Sequence, residues 1–110
     1  MLVGYIRVST DDQNLNLQKD ALIKYGIDQR NIFSDKTSGS KDKRVGLDKA
    51  IEFLKDGDTL VVWKLDRLGR SLAHLISIIT SLKNRNISFI SINEGMDTRT
   101  ASGELFFHIF

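Results

Sequence analysis

Leu47-Asp48-Lys49-Ala50-Ile51-Glu52-Phe53-Leu54-Lys55-Asp56-Gly57-Asp58-Thr59-Leu60-Val61-Val62-Trp63 passes from helical to strand spacing within one turn of chain. Leu47, Ala50, Ile51 and Leu54 recur at helical intervals and mark one apolar helix face, which Asp56-Gly57-Asp58 brings to an end. Thr59 to Trp63 is then an unbroken apolar run, too short for a helix and rich in β-branched residues. Such a run, with no alternation of apolar and polar positions, belongs to a strand covered on both faces. That is the condition of a parallel sheet.

The flanking sequence repeats the same grammar. Upstream, Leu2 to Val8 reads as a buried strand, Ser9-Thr10-Asp11-Asp12 offers helix caps, and Gln13 to Tyr25 carries a helical stripe that Gly26 is placed to stop. Asn31 to Ser34 reads as a second strand. The polar segment Asp35 to Lys43, bearing Gly39 and serines and without periodicity, reads as a loop whose residues 36–43 are expected to be poorly ordered without a ligand. Downstream, Leu72, Leu75, Ile76, Ile79 and Leu82 form the clearest apolar stripe, lying between Gly69 and the Asn84-Arg85-Asn86 break, and Ile87 to Ile92 reads as a further strand. Strands alternating with helices predict an α/β domain with a mainly parallel sheet and helices on both faces.

Composition sets bounds on function. A chain of 110 residues with 41% hydrophobic content has the size and apolar content of one globular unit. The absence of cysteine removes disulfides, thiolate metal sites and cysteine nucleophiles, and cytoplasm is the expected compartment. No run approaches the roughly 20 apolar residues of a membrane span, and Met1-Leu2-Val3-Gly4-Tyr5 has no targeting pattern. A formal charge of +2 is too small to mark a partner through the overall field. Placement is more informative: Arg7, Lys64, Arg67 and Arg70 cluster near strand ends, with Lys41, Lys43 and Arg44 in the polar loop.

In an open α/β sheet, ligands collect beyond the carboxyl ends of strands. The first strand delivers Arg7 and Ser9, and the strand ending at Trp63 delivers Lys64, Asp66, Arg67 and Arg70, so one pocket receives all of them if the two strands are neighbours. Arg67 and Arg70 would point the same way on a helical turn, with Gly69 between them leaving room for close approach. Guanidinium stays charged and binds two phosphate oxygens at once. Phosphoryl transfer asks mainly for positioning and for compensation of charge on the equatorial oxygens, which several arginines can share. Ser9 is available as the nucleophile.

These residues resemble the small serine recombinases, the resolvases and DNA invertases. Tyr5-Ile6-Arg7-Val8-Ser9-Thr10-Asp11-Asp12-Gln13 is similar to the family's nucleophile segment, and Leu65-Asp66-Arg67-Leu68-Gly69-Arg70-Ser71 to its arginine motif. Asp35 to Gly39 followed by Arg44-Val45-Gly46-Leu47 resembles its mobile loop and loop arginine, with Val45 where a proline often stands. Gly103-Glu104-Leu105-Phe106-Phe107 resembles the entry to a long dimerisation helix. The resemblance implies site-specific DNA recombination: Ser9 attacks a phosphodiester held by Arg7, Arg44, Arg67 and Arg70, giving a 5′-phosphoseryl link and a free 3′-hydroxyl. It further implies that Asp66 orients an arginine or assists proton transfer, with Gln13, Gln18 and Lys64 in support. No metal or other cofactor is expected, and the partners are duplex DNA and further copies of the chain, a dimer that becomes a tetramer during strand exchange. The compartment implied is the prokaryotic cytoplasm or nucleoid. Residues 1–100 would form the catalytic domain and 101–110 the start of a truncated dimerisation helix, with the family's helix-turn-helix domain lying beyond Phe110.

Simpler roles compete at each position. Ser9 alone is better explained as a helix cap, and Arg67 and Arg70 alone as a solvated pair with Asp66 worth about 0–1 kcal/mol. Their combination reverses that preference. Asp35, Asp66, Glu94 and Asp97 match no metal-ligand spacing, His74 and His108 have no catalytic partner at useful spacing, and Trp63 is better explained by packing than by base stacking. Phe106, Phe107 and Phe110 favour an interface. Two other classes are weighed: an inert interaction fragment of such a recombinase, and a phosphoacceptor receiver domain, which would need acidic residues where Arg7 and Ser9 stand.

Overall fold

The computed structural model describes residues 1–9, 15–37, 45–65 and 72–100, with backbone alone at Ser9, Leu15, Thr37 and Leu72. The chain runs β1 (Leu2–Ser9), α1 (Leu15–Tyr25), a 3₁₀ turn (Gln29–Asn31), β2 (Ile32–Thr37), α2 (Val45–Phe53), β3 (Thr59–Val62), α3 (Leu72–Asn84), β4 (Ser88–Ser91) and β5 (Met96–Asp97). The strands form one sheet in the order β2-β1-β3-β4-β5. β2, β1, β3 and β4 are parallel, and β5 returns antiparallel along β4. The expected mainly parallel α/β architecture is therefore present.

Burial explains why the central strands are apolar throughout. On one face Val3, Tyr5, Leu60, Val62 and Phe89 pack with Leu47, Ala50 and Leu54 of the α2 segment and with Leu75, Ile78, Ile79 and Leu82 of α3. On the other, Ile6, Val8, Val61 and Ile90 meet Leu22 of α1 and Ile27 behind it. A strand sandwiched in this way has no solvent side on which to place polar residues.

Helix ends are set by named contacts. Gly26, at φ +118°, closes α1: its amide donates to the Ile23 carbonyl at 3.0 Å and the Ile27 amide to that of Leu22 at 3.1 Å. This is the Schellman arrangement, with Ile27 and Leu22 supplying its hydrophobic contact. Asn86, at φ 58°, closes α3 in the same way, its amide donating to Lys83 and that of Ile87 to Leu82. Arg85, just past α3, reaches to carbonyls at and just after the end of α2, with Nη1 donating to Ile51 at 2.9 Å and Nη2 to Leu54 at 2.7 Å. Arg85→Ala is expected to lower stability by about 1 kcal/mol, seen as a fall of several degrees in a calorimetric melt.

Several boundaries differ from expectation: Asn31 lies in the 3₁₀ turn and not in β2, and Ile87 and Ile92 flank β4 without belonging to it. β2 continues through Asp35 and Lys36 to Thr37, residues expected in the loop, because β1 offers a parallel partner all along that stretch: Arg7↔Asp35, Val8↔Lys36 and Ser9↔Thr37. Ladder bonds to a central strand outweigh the polar character of the segment. The remainder of the expected loop, 38–43, lies outside the described residues. Trp63 follows β3 rather than ending it, although its carbonyl still accepts from the Asn93 amide at 2.8 Å.

Candidate active site at the carboxyl ends of the strands

The strand order places a topological switch point between β1 and β3. From β1 the chain moves to β2 on one side of the sheet, then crosses to β3 on the other, so the connections leaving β1 and β3 diverge. A crevice opens where connections part in this way. β1 also outruns β3: their pairing ends at Tyr5↔Val62, whereas β1 continues along β2 to Ser9↔Thr37. Arg7 and Ser9 therefore project past the end of the β1–β3 ladder, and the chain leaving β3 runs through Trp63, Lys64 and Leu65 into the arginine segment. The two strands whose adjacency the shared pocket depends on are neighbours.

Arg7 is half-buried and its backbone is held from below. Gln18, on the inner face of α1, is fully buried, and its Nε2 donates to the Arg7 carbonyl at 3.2 Å. Its Oε1 meets no donor among the described residues. Gln18 thus serves Arg7 through the main chain and does not face solvent, where a phosphate would arrive. Lys64 is half-buried with its Nζ 4.7 Å from the centre of the Trp63 ring, a cation–π contact that gives Trp63 a role beyond packing.

The residue at the structural centre of this region is Asp35. It is 9% exposed, and its Oδ2 accepts from the Tyr5 hydroxyl at 2.8 Å and the Leu47 amide at 2.9 Å, while Oδ1 accepts from the Gly46 amide at 2.7 Å. A carboxylate receiving two amides at the start of α2 both caps that helix and complements its dipole. Gly46 is packed so tightly against β2 that an added Cβ would lie 2.2 Å from the Ser34 carbonyl oxygen. The start of α2, directly after Arg44, is therefore locked onto the strand that lies beside Arg7.

Gln13, Arg44, Asp66, Arg67 and Arg70 lie outside the described residues, as does the side chain of Ser9, so the site is drawn from the backbone of Ser9 and from the elements that lead into the others. Sequence reasoning missed Asp35 as a structural hub, placing it at the head of the polar loop and weighing it as an implausible metal ligand. No local signal marks it, because its partners lie on β1 and at the start of α2.

Comparison with known proteins adds an independent line. A family model described as "Resolvase, N terminal domain" matches residues 2–110. The chain is 55% identical over 112 aligned positions to the transposon Tn552 DNA-invertase BinR of Staphylococcus aureus, covering 100% of this chain and 57% of that protein. It is 56% identical to the transposon Tn552 resolvase of the same organism, covering 100% of this chain and 56% of that one. The chain thus spans a little over half the length of these relatives. Among solved structures, the crystal structure of the N-terminal catalytic domain of TP901-1 integrase superposes with a TM-score of 0.78 at 32% identity, covering 98% of this chain and 88% of that domain.

Proposed function

We propose that this chain, which belongs to the resolvase N-terminal domain family of serine recombinases, cuts and rejoins duplex DNA through Ser9. The observation that carries the reading is the switch point: β1 ends on Arg7 and Ser9 beside the chain that leaves β3 for Asp66, Arg67 and Arg70. Family membership supports the chemistry, and the strand order supports the meeting of its parts.

In this reading the Ser9 hydroxyl attacks a phosphorus whose non-bridging oxygens are neutralised by Arg7, Arg44, Arg67 and Arg70. The 3′ oxygen of the scissile bond leaves and takes up a proton, while the serine proton passes to an acceptor. Arginine, which keeps its proton in proteins, is a poor acceptor, and Asp66 is assigned the role, or that of orienting an arginine. Gln13 and Lys64 assist in holding the backbone, and Gln18 fixes the Arg7 main chain from the core. Rejoining is the reverse displacement, in which a 3′-hydroxyl attacks the phosphoserine ester and Ser9 leaves. One ester replaces another in each step, so no nucleotide hydrolysis is needed.

The partners in this proposal are duplex DNA and further copies of the chain, a dimer that pairs into a tetramer for strand exchange. Residues 1–100 form the catalytic unit and 101–110 begin the dimerisation helix. The cell compartment proposed is the prokaryotic cytoplasm; among the described residues no helix is long and apolar enough to cross a membrane. Since the relatives extend well past the matched region, productive cleavage is expected to need the sequence they carry there.

The test joins Phe110 to the remaining C-terminal sequence of the Tn552 resolvase and supplies that protein's DNA site with a nick to trap the intermediate. A denaturing gel followed by peptide mass analysis should find DNA attached through its 5′-phosphate to the peptide containing Ser9. Attachment to another residue, or cleavage with no protein attached, would overturn the proposal.

A further inference from the structure

We propose that Glu94 is a positioning residue that sets where the arginine segment starts, an inference that rests on the recombinase reading for its effect on DNA. The segment Asp66 to Arg70 follows directly on Leu65, so the location of Leu65 fixes its point of departure. Leu65 is anchored twice. Its side chain packs against the core on the α2 and α3 face, and its amide donates to Glu94 Oε2 at 3.4 Å.

Glu94 is itself held in place. Ser91, fully buried at the end of β4, donates its hydroxyl to Glu94 Oε1. The turn that carries Glu94 grips the exit of β3 through the main chain as well, the Ile92 amide donating to Val62 at 3.0 Å and that of Asn93 to Trp63 at 2.8 Å. Gly95, at φ +67°, then bends the chain back into β5, its amide donating to Ile92 at 3.2 Å. The Glu94 side chain adds a contact to the Leu65 amide, extending the hold on the β3 exit by two residues beyond Trp63.

The role is geometric, which sets it apart from proton transfer. A carboxylate and a carboxamide can both accept from the Leu65 amide, and in the carboxamide the Ser91 hydroxyl can reverse and accept from the side-chain NH₂. Glu94→Gln therefore preserves the clamp, whereas Glu94→Ala removes it.

Hydrogen exchange at the Leu65 amide, followed in the chain alone, tests the clamp without DNA. Exchange is expected to quicken about three- to tenfold in Glu94→Ala and to stay near wild type in Glu94→Gln. In the Phe110-extended protein on nicked DNA, the cleavage rate should fall about tenfold in Glu94→Ala, with DNA affinity unchanged and Glu94→Gln restoring the rate. Unchanged Leu65 exchange in Glu94→Ala would overturn the inference. So would a Gln variant as slow as the alanine one, which would mark Glu94 as a proton acceptor. A wild-type protein that forms no Ser9 adduct would instead count against the recombinase reading and leave the exchange result to stand or fall on its own.

Discussion

Ser9→Ala is expected to abolish covalent attachment to DNA, with cleavage falling by at least about 10³-fold, while DNA affinity stays within about twofold of wild type. The two outcomes separate because the functions reside in different atoms. In the proposed mechanism, run in the Phe110-extended protein, affinity comes from basic groups that neutralise phosphates and from the sequence past Phe110, and the phosphate contribution is lost counterion by counterion as salt rises. Removing one hydroxyl leaves it intact. Bond cleavage needs an oxygen nucleophile held in line with the leaving 3′ oxygen, and alanine has none to offer. The arginines could still polarise the phosphate toward water, but without a positioned nucleophile that route forfeits the advantage of a bound attacking group. Parallel measurements on nicked-site DNA, by denaturing gel for cleavage and by titration at fixed salt for affinity, read both quantities on the same preparation. Cleavage that survives in Ser9→Ala would point to water or another residue as the attacking group. Affinity that collapses with it would show that the substitution had disturbed the fold.

Gly46→Ala is expected to be among the most damaging small substitutions in the molecule, lowering stability by about 3 kcal/mol. The added methyl would sit 2.2 Å from the Ser34 carbonyl oxygen, 2.8 Å from its carbon and 3.0 Å from Asp35 Oδ1. Ser34 is main chain within β2, pinned by pairing with β1, so it cannot rotate away as a side-chain tip would. Relief requires α2 to lift from the sheet. Lifting draws the Gly46 and Leu47 amides off Asp35 and leaves a buried carboxylate with the Tyr5 hydroxyl as its remaining contact of the three. The start of α2 also fixes the chain next to Arg44, so the variant should form the Ser9 adduct slowly even at temperatures where it stays folded. Urea melts of Gly46→Ala, Asp35→Asn and the double variant check the linkage. Coupling through Asp35 predicts a double variant less destabilised than the sum of the two singles. A Gly46→Ala melt within about 1 kcal/mol of wild type would mean that α2 is not locked to β2 in the way described.

The same contacts show why parts of the molecule were readable in advance and others were not. The types of the main elements follow from spacing that recurs within a few residues. Leu75, Ile79 and Leu82 had to share a helix face, and the run through Leu60, Val61 and Val62 had to be covered on both sides. Chain stops at Gly26 and Asn86 were equally local, each resting on a left-handed residue and two short-range amide bonds. The motif residues Arg7, Ser9, Arg67 and Arg70 were identifiable because arginine and serine in those patterns suit phosphate chemistry.

What needed the tertiary structure was every feature whose partners are distant in sequence. That β2 extends through Thr37 depends on β1 lying beside it, since the polar residues of that stretch carry no strand signal of their own. Gln18 looked like a candidate for the DNA surface, yet the packing of α1 on β1 turns it inward onto the Arg7 carbonyl. Asp35 gathers Tyr5, Gly46 and Leu47, and Glu94 reaches Leu65, from positions that no periodic pattern connects. By itself the sequence determined the kinds of the main elements, the alternation that makes the sheet mainly parallel, and which stretches carry side chains of a type suited to phosphate chemistry, because each depends on residue type and short-range spacing. The tertiary structure decided that β1 and β3 are neighbours and which carboxylates hold the loops around their ends, because strand order and buried hydrogen bonds depend on contacts made only when the chain has closed on itself.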